Sequence, residues 1–326
     1  MRNSGDTTMI RRGVTLVELL VVISIMGILM AVLFTAMAPA QRAALETKER
    51  ENLRQLHGGF KAFAASNSNR NPVPGLIRRG MRDFDGDGVG DRFVDGSGPE
   101  DASQNDHGAM LSMCIMKELF VPNQLVSPND PSTHVYSYND YNYNLYGQLD
   151  DEDRANRWDP QFSNHLLGQG DNNNPGCNNS YAIVPLAGER RRDNWDRQGS
   201  STFPLIGTRG PENGDSIHIN VPQGGGMPAS ITGQLLATSG AWRGILAYAD
   251  GHTDIYDGFY PEHLTFRHSS GSNVPDNVFA AEAAASGPWA GDAALLGPDA
   301  FLTHVDSVES QSAVNPYDVD FEPLHD

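Results

Sequence analysis

The stretch Arg11–Phe34, RRGVTLVELLVVISIMGILMAVLF, is apolar beyond Glu18 and decides where the chain can lie. Leu19–Ala38 holds twenty residues without a charge. At about 1.5 Å per residue, a helix of that length spans the ~30 Å hydrocarbon core of a bilayer. A soluble helix this long would show a polar face, whereas the polar exceptions here are Ser24 and Thr35, whose hydroxyls can bond to the helix backbone. The stretch therefore predicts a membrane-spanning helix.

Three interpretations of the N-terminus compete. A secretory signal peptide has an apolar region of about 7–15 residues followed by a small-residue cleavage site. The AMA segment at 36–38 has that form, but the apolar run is too long and Pro39 follows directly. The arginine pair at 11–12 suggests a twin-arginine signal, for which two arginines alone are a weak match. The third interpretation uses every feature: the arginine pair, Gly13, then Glu18, then the apolar run.

This third pattern resembles the class III leader of type IV prepilins and type II secretion pseudopilins. The resemblance implies that a prepilin peptidase in the membrane cuts between Gly13 and Val14 and then methylates the new N-terminal amine. Because the cut precedes the apolar run, the helix stays on the mature protein, and Glu18 becomes its fifth residue.

Glu18 needs an explanation, because a lone carboxylate in lipid costs roughly 3 kcal/mol or more and is usually paired and functional. The resemblance implies that Glu18 meets the amine of Val14 on a neighbouring subunit, so that assembly neutralises both charges. The alternative is that Glu18, near the end of the helix, reaches the lipid headgroups.

The resemblance also predicts partners and location. Basic residues lie on both sides of the apolar run, so their count does not orient it. The leader implies a single-pass protein of the inner (cytoplasmic) membrane, with a cytoplasmic N-terminus and an extracytoplasmic head. Its partners would be prepilin peptidase, membrane lipid and other pilin-like subunits. A net charge of -18 argues against a nucleic acid partner.

Beyond Pro39 the pattern stays helical, since an apolar stripe recurs every three or four residues from Leu53 to Phe63. This predicts one helix from Val14 to about Ala65, kinked near Pro39. The charged residues at 46–51 cover the approach to this stripe. The predicted organisation is a leader at 1–13, a transmembrane half-helix at 14–38, an amphipathic half at 39–66, a globular head at 67–310 and an acidic mobile tail at 311–326.

The head is predicted to be pilin-like and α+β, with an antiparallel sheet and many loops. Ile245–Tyr256 reads as a hairpin with Asp250-Gly251 in a type I′ turn. Tyrosines at alternate positions in 136–143 favour a half-buried strand. Residues 107–120 favour a short helix with a buried, Met-rich face.

An acidic loop, DFDGDGVGDRFVDGSG at 83–98, is a candidate calcium site. An EF-type loop takes oxygens from positions 1, 3, 5, 7 and 9 and a bidentate acid at 12, with glycine at 6. Position 12 is Val94, so the next residue stands in for it. The alternative is a solvated, glycine-rich turn. The predicted ligands are Asp83, Asp85, Asp87, the Val89 carbonyl, Asp91 and Asp95.

Two segments resemble elements of the large pseudopilin-like proteins of Planctomycetes: LVSPNDP at 125–131 and the hairpin around Asp250-Gly251. No nucleophile, phosphate-loop or zinc-protease motif occurs, which favours a non-enzymatic protein. Whether Cys114 and Cys177 form a disulfide stays open.

The sequence therefore predicts a structural subunit, minor or tip-like, of a type II secretion pseudopilus or a type IV pilus-like fibre. The alternative is a membrane-anchored extracytoplasmic protein that binds calcium or another ligand and is exported through a pilin-type leader.

Overall fold

The computed structural model describes residues 14–166, 176–196, 199–211, 242–267, 272–281, 299–310 and 319–324, with residues 214, 236 and 317. The chain divides into two compact units, Met1–Glu46 and Thr47–Asp326. Helix α1, Leu16–Ser66, contributes to both units. Its bounds confirm the predicted long helix, and Pro39 lies inside it.

The second unit contains two further α-helices and eight strands within the described residues. The helices are α2, Pro74–Ile77, and α3, His107–Met116. The strands are β1 Tyr181–Ile183, β2 Pro204–Thr208, β3 Arg243–Tyr248, β4 Thr253–Asp257, β5 Thr265–Arg267, β6 Asn273–Pro275, β7 His304–Ser310 and β8 Val319–Leu324.

Strands β1 to β4 form an antiparallel sheet in chain order, and β5–β6 and β7–β8 form two antiparallel pairs. An antiparallel bridge between Ile183 and Thr303 connects β1 to the segment that leads into β7. This arrangement confirms the predicted α+β class, with a long N-terminal helix followed by a head of antiparallel sheets and loops.

The core of the second unit forms where the apolar stripe of α1 meets α3 and the sheet. Leu53, Leu56 and Phe60 are fully buried, as the predicted stripe requires. The ring of Phe60 packs edge-on against Trp195, with 5.3 Å between ring centroids. The buried face of α3 includes Met110 and its neighbours, which confirms the predicted Met-rich packing.

The predicted hairpin is confirmed, because β3 and β4 pair in register from Arg243–Asp257 to Ala247–Thr253. The predicted type I′ turn is wrong. Such a turn requires positive φ at both central residues, and of the Asp250-Gly251 pair only Gly251 has it, at 100°. The turn instead closes by a bond from the Gly251 N–H to the Tyr248 carbonyl oxygen.

The predicted strand at 136–143 is wrong, because polar partners elsewhere in the head hold this segment. The Tyr141 hydroxyl donates to the Ser112 carbonyl oxygen at 2.7 Å, and the Asn142 N–H donates to the Asp159 carboxylate at 2.9 Å. A single bridge at Val135 and a short 3-10 turn at Tyr143–Leu145 take the place of a strand.

The prediction of a mobile tail is wrong for 319–324, which form β8. Apolar and acidic residues alternate in VDFEPL, the pattern of a half-buried strand, and Phe321 and Leu324 are buried. Residues 311–316 lie outside the described part. Cys114 and Cys177 are both buried and free, so they form no disulfide with each other.

Candidate functional site

The apolar first half of α1 is exposed along its whole described length, Val14–Met37. Val14 is 74% exposed and Phe34 66% exposed. Among the described helices, α1 is the one long and apolar enough to cross a membrane, and its most apolar stretch has no buried residue. An uninterrupted apolar surface of this kind requires lipid or other protein around it.

The polar side chains inside this half-helix have partners within the helix. The Ser24 hydroxyl donates to the Leu20 carbonyl oxygen at 2.8 Å, and the Thr35 hydroxyl donates to that of Val32 at 2.8 Å. These bonds confirm the predicted back-bonding and remove two unpaired donors from an apolar environment.

Glu18 lies at the start of the helix in a capping box with Thr15. The Glu18 Oε2 atom accepts from the Thr15 N–H at 2.8 Å and from the Thr15 hydroxyl at 2.9 Å. In return, the Glu18 N–H donates to the Thr15 hydroxyl oxygen at 3.2 Å. This capping role was not among the predictions from the sequence, although T-x-x-E before an apolar run is its usual signature.

Both side-chain bonds of Glu18 use Oε2, so Oε1 has no hydrogen-bond donor among the residues that the structure describes. Val14, the first described residue, lies just before this box, and Gly13 lies outside the described residues. The helix start therefore presents a carboxylate oxygen close to the end of the mature chain that the leader motif implies.

The acidic loop brings three of its predicted ligands together. Asp83, Asp85 and Asp91 each place one carboxylate oxygen within 4.8 Å of the others. Gly86 and Gly88 have positive φ, at 81° and 87°, which lets the loop fold around the first aspartate.

Backbone donors help to hold the loop in this shape. The N–H groups of Gly86 and Gly88 donate to the Asp83 carboxylate at 2.6 and 2.9 Å. These two bonds, the Gly86 bond foremost, lower the pKa of Asp83. The Phe84 N–H donates to Asp91 at 2.6 Å. The charged form of the loop is therefore stabilised locally before any cation arrives.

Two other predicted ligands, the carboxylates of Asp87 and Asp95, are not part of this group. The Asp87 carboxylate accepts from the N–H of Val89, which is exposed, at 2.7 Å. Asp95 forms an ion pair with Arg157 at 2.5 Å. Hard oxygen donors suit calcium, and the convergent set in the structure offers three of the six to eight oxygens that calcium takes.

A third acidic group was not singled out from the sequence. Glu49, one of the charged residues at 46–51, is fully buried on α1. Its Oε2 atom accepts from the Ser127 hydroxyl at 2.6 Å and from the Tyr181 hydroxyl at 3.4 Å, while Oε1 is buried without a partner among the described residues. Burial raises the pKa of Glu49 to about 7, and the hydroxyl bonds oppose that rise.

The Glu49 cluster continues into an ion pair. Arg209 binds Asp130 through its two terminal guanidinium nitrogens, and Asp130 also accepts from the Ser180 hydroxyl at 2.7 Å. Ser127 and Asp130 both come from LVSPNDP, a segment singled out in the sequence without a role. The structure indicates that this segment links the buried face of α1 to the sheet.

Comparison with known proteins identifies the leader. Residues 8–34 match the family model described as the prokaryotic N-terminal methylation motif. The match spans the predicted cut, Glu18 and most of the apolar run, and it confirms the prepilin-type leader. No curated protein and no solved structure matches the chain. The matched residues stop before LVSPNDP and the hairpin, so the likeness to planctomycete proteins stays a prediction.

Proposed function

We propose that this chain, which carries a prepilin-type methylation motif, is a minor or tip-like structural subunit of a type II secretion pseudopilus or a type IV pilus-like fibre. The motif supports a pilin- or pseudopilin-like protein in general. The carrying observation is the exposed apolar half of α1, which begins just after the predicted cut. A head as large as the unit Thr47–Asp326 favours a minor or tip position over the bulk of a fibre.

The first step of this function is processing. Prepilin peptidase removes residues 1–13 and methylates the amine of Val14, and the apolar helix stays in the inner membrane with the head on the extracytoplasmic side. The motif match across this boundary supports the step. The product is a single-pass protein whose N-terminal amine lies at the start of α1.

The second step is assembly through paired charges. In this proposal, the Glu18 Oε1 atom accepts from the N-terminal amine of Val14 on a neighbouring subunit. The capping box supports this arrangement, because it fixes the carboxylate with Oε2 and leaves Oε1 to a donor outside the helix. A charge pair in an apolar helix bundle removes two isolated charges from lipid.

Subunit crosslinking tests the assembly step. The full chain, expressed with its peptidase, would carry Glu18→Ala or, as a matched control, Thr15→Ala. Glu18→Ala should insert normally, since it makes the helix more apolar, but should lose most crosslinked oligomers. Thr15→Ala removes the hydroxyl but keeps the carboxylate and the backbone N–H that donates to it, so it should crosslink nearly as well as wild type. Wild-type crosslinking of Glu18→Ala would rule out the charge pair and favour contact with headgroups.

A second candidate function is calcium binding by the acidic loop, which would make the protein a membrane-anchored calcium-binding module. The convergence of Asp83, Asp85 and Asp91 favours it. The ion would be held by these three carboxylates and would relieve their mutual repulsion. With so few protein ligands in place, we expect a dissociation constant of about 10⁻⁴–10⁻³ M, as in extracellular modules.

Titration calorimetry on the full chain in detergent tests this binding. Calcium should give a saturable heat and raise the melting temperature, because it binds the folded loop. Magnesium should bind more weakly, since it prefers rigid octahedral sites. Asp85→Asn should remove both effects, whereas Glu262→Gln, an exposed acid outside the loop, should keep them. If millimolar calcium changes neither signal in the wild type, the loop is a solvated turn.

The two functions can be separated with the same variants. Asp85→Asn should leave crosslinking intact if the chain is a fibre subunit. Glu18→Ala should leave calcium binding intact if the loop is a metal site.

A further inference from the structure

A cleft in the head concentrates arginines in a strongly acidic chain. Its volume is about 290 Å³, and four arginines line it, at 78, 79, 154 and 157, together with the apolar side chains of Phe93 and Leu149. The chain has 23 basic residues against 41 acidic ones. Four arginines therefore share one small space with two acidic residues, Asp95 and Asp153.

Three of the arginines in the cleft already form ion pairs with carboxylates of the chain. Arg154 binds the Asp101 carboxylate at 2.9 Å, and Arg157 binds the Asp95 carboxylate at 2.5 Å. Arg78 forms an ion pair with Asp150. Guanidinium groups match carboxylates because they present parallel N–H donors in a fixed plane.

Two arginines retain donor capacity. The Nε atom of Arg78 is buried and has no hydrogen-bond acceptor among the described residues. Arg79 donates to the Gly98 carbonyl oxygen at 3.0 Å and forms no ion pair with any described carboxylate. A buried donor without an acceptor is unfavourable, and Arg79 has N–H groups beyond its Gly98 bond that an incoming carboxylate can use.

One internal carboxylate can be exchanged. The side chain of Asp95 is 71% exposed, whereas that of its partner Arg157 is 15% exposed. A solvent-facing ion pair contributes little to stability. A carboxylate from outside can therefore replace Asp95 on Arg157 at small cost.

Contacts of Arg154 hold the backbone that surrounds the cleft. The guanidinium of Arg154 lies 4.3 Å from the centre of the Phe93 ring and donates to the carbonyl oxygens of Arg78 and Arg79 at 3.4 and 3.0 Å. These contacts fix the backbone at the two neighbouring arginines, which lowers the entropic cost of ordering the cleft on binding.

We propose that this cleft is a binding site for a carboxylate ligand. Arg79 and Arg157 bind the carboxylate oxygens, and Arg154 positions the backbone around them. The volume fits a small polycarboxylate or one acidic side chain of a peptide. The site depends neither on fibre assembly nor on calcium.

Calorimetry with the full chain in detergent tests the proposal with three probes: citrate, a tetra-aspartate peptide and the uncharged tetra-asparagine peptide. At least one of the first two should bind with one-to-one stoichiometry, and tetra-asparagine should not bind. Binding of citrate alone identifies a free small carboxylate as the ligand class, and binding of the aspartate peptide alone identifies an acidic chain.

Matched variants locate the binding. Arg79→Gln and Arg157→Gln should each weaken it at least tenfold, while Arg54→Gln, an exposed arginine on α1 outside the cleft, should not change it. Arg157→Lys keeps the charge and loses the planar fork, so it should bind with intermediate affinity. It is also the variant to use if a glutamine variant melts early. No binding by either charged probe, or equal losses in Arg54→Gln, would overturn the proposal.

Discussion

The two halves of α1 bury their side chains differently. From Val14 to Met37 every side chain is exposed, whereas Leu53, Leu56 and Phe60 in the second half are fully buried in the head. The first half is apolar all round, and the second is apolar along one stripe. A helix that is apolar all round is therefore expected to contact lipid or another protein, whereas a helix with one apolar stripe is expected to pack within its own chain.

The glutamates of the two halves repeat the contrast. Glu18 is exposed at a helix start and shares one oxygen with Thr15. Glu49 is buried and bonded to hydroxyls from distant parts of the chain. The first carboxylate keeps one oxygen without a hydrogen-bond donor among the described residues, and the second is bonded within the head.

Phenylalanine truncation should give the largest difference between the halves. Phe60→Ala removes a fully buried ring that packs on Trp195, so it should lower the free energy of unfolding by about 3–5 kcal/mol. Phe34→Ala, in the exposed half, should leave the stability of the head unchanged. Thermal unfolding followed by near-UV circular dichroism of the buried tryptophans checks both. Equal effects from the two variants would contradict the division of α1.

Glu49 should give the head a pH dependence. Its folded pKa of about 7 lies above the ordinary value of 4.5, so the folded state holds the proton more tightly. The stabilisation is complete below about pH 4.5 and is lost as the pH rises to about 7. Glu49→Gln removes this dependence, so it should gain up to roughly 3 kcal/mol over wild type between pH 5 and pH 8.

The comparison with wild type isolates Glu49 from other buried acids. Asp106 and Asp276 also have pKa values raised to about 7 by burial, and both remain in the variant. Glu51→Gln, an exposed neighbour on the same helix, should show no gain at pH 8. A gain in Glu51→Gln as large as that in Glu49→Gln would mean that burial is not the cause.

Adjacent glycines should give the smallest and most local effect. A Cβ at Gly59 would lie 2.6 Å from the Phe120 ring, whereas one at Gly58 would meet nothing within 4 Å. Gly58→Ala should therefore stabilise the helix by about 0.5–1 kcal/mol. Gly59→Ala should destabilise the head, since overpacking costs about 1–3 kcal/mol. Thermal unfolding measures the stability of both variants. A Gly59→Ala protein more stable than wild type would show that the Phe120 ring does not pack closely against the helix at this position.

Local patterns in the sequence predicted much of this fold. The apolar run, the stripe at 53–63 and the hairpin at 245–256 each depend on neighbouring residues, and each is present in the structure. The strand prediction at 136–143 failed because this segment forms hydrogen bonds to Ser112 and Asp159, and its own sequence pattern does not reveal those partners.

The candidate sites also divide into features that neighbouring residues determine and features that depend on contacts between distant segments. The leader is a local motif, and the sequence identified it. The convergence of Asp83, Asp85 and Asp91 follows from loop spacing, whereas the ion pair of Asp95 with Arg157 joins distant segments. The burial of Glu49 was missed because its partners come from LVSPNDP and from β1, far along the chain.

The N-terminus of the mature protein shows whether this chain is processed as a prepilin. The full chain, expressed with a prepilin peptidase and extracted from membranes, would be analysed by mass spectrometry of its N-terminal peptide. If prepilin peptidase cuts and methylates the chain, this peptide should begin at Val14 and carry one added methyl group on its amine. A bulky residue in place of Gly13 should leave the leader attached. A wild-type N-terminus at Met1, or one beyond Ala38, would contradict the account.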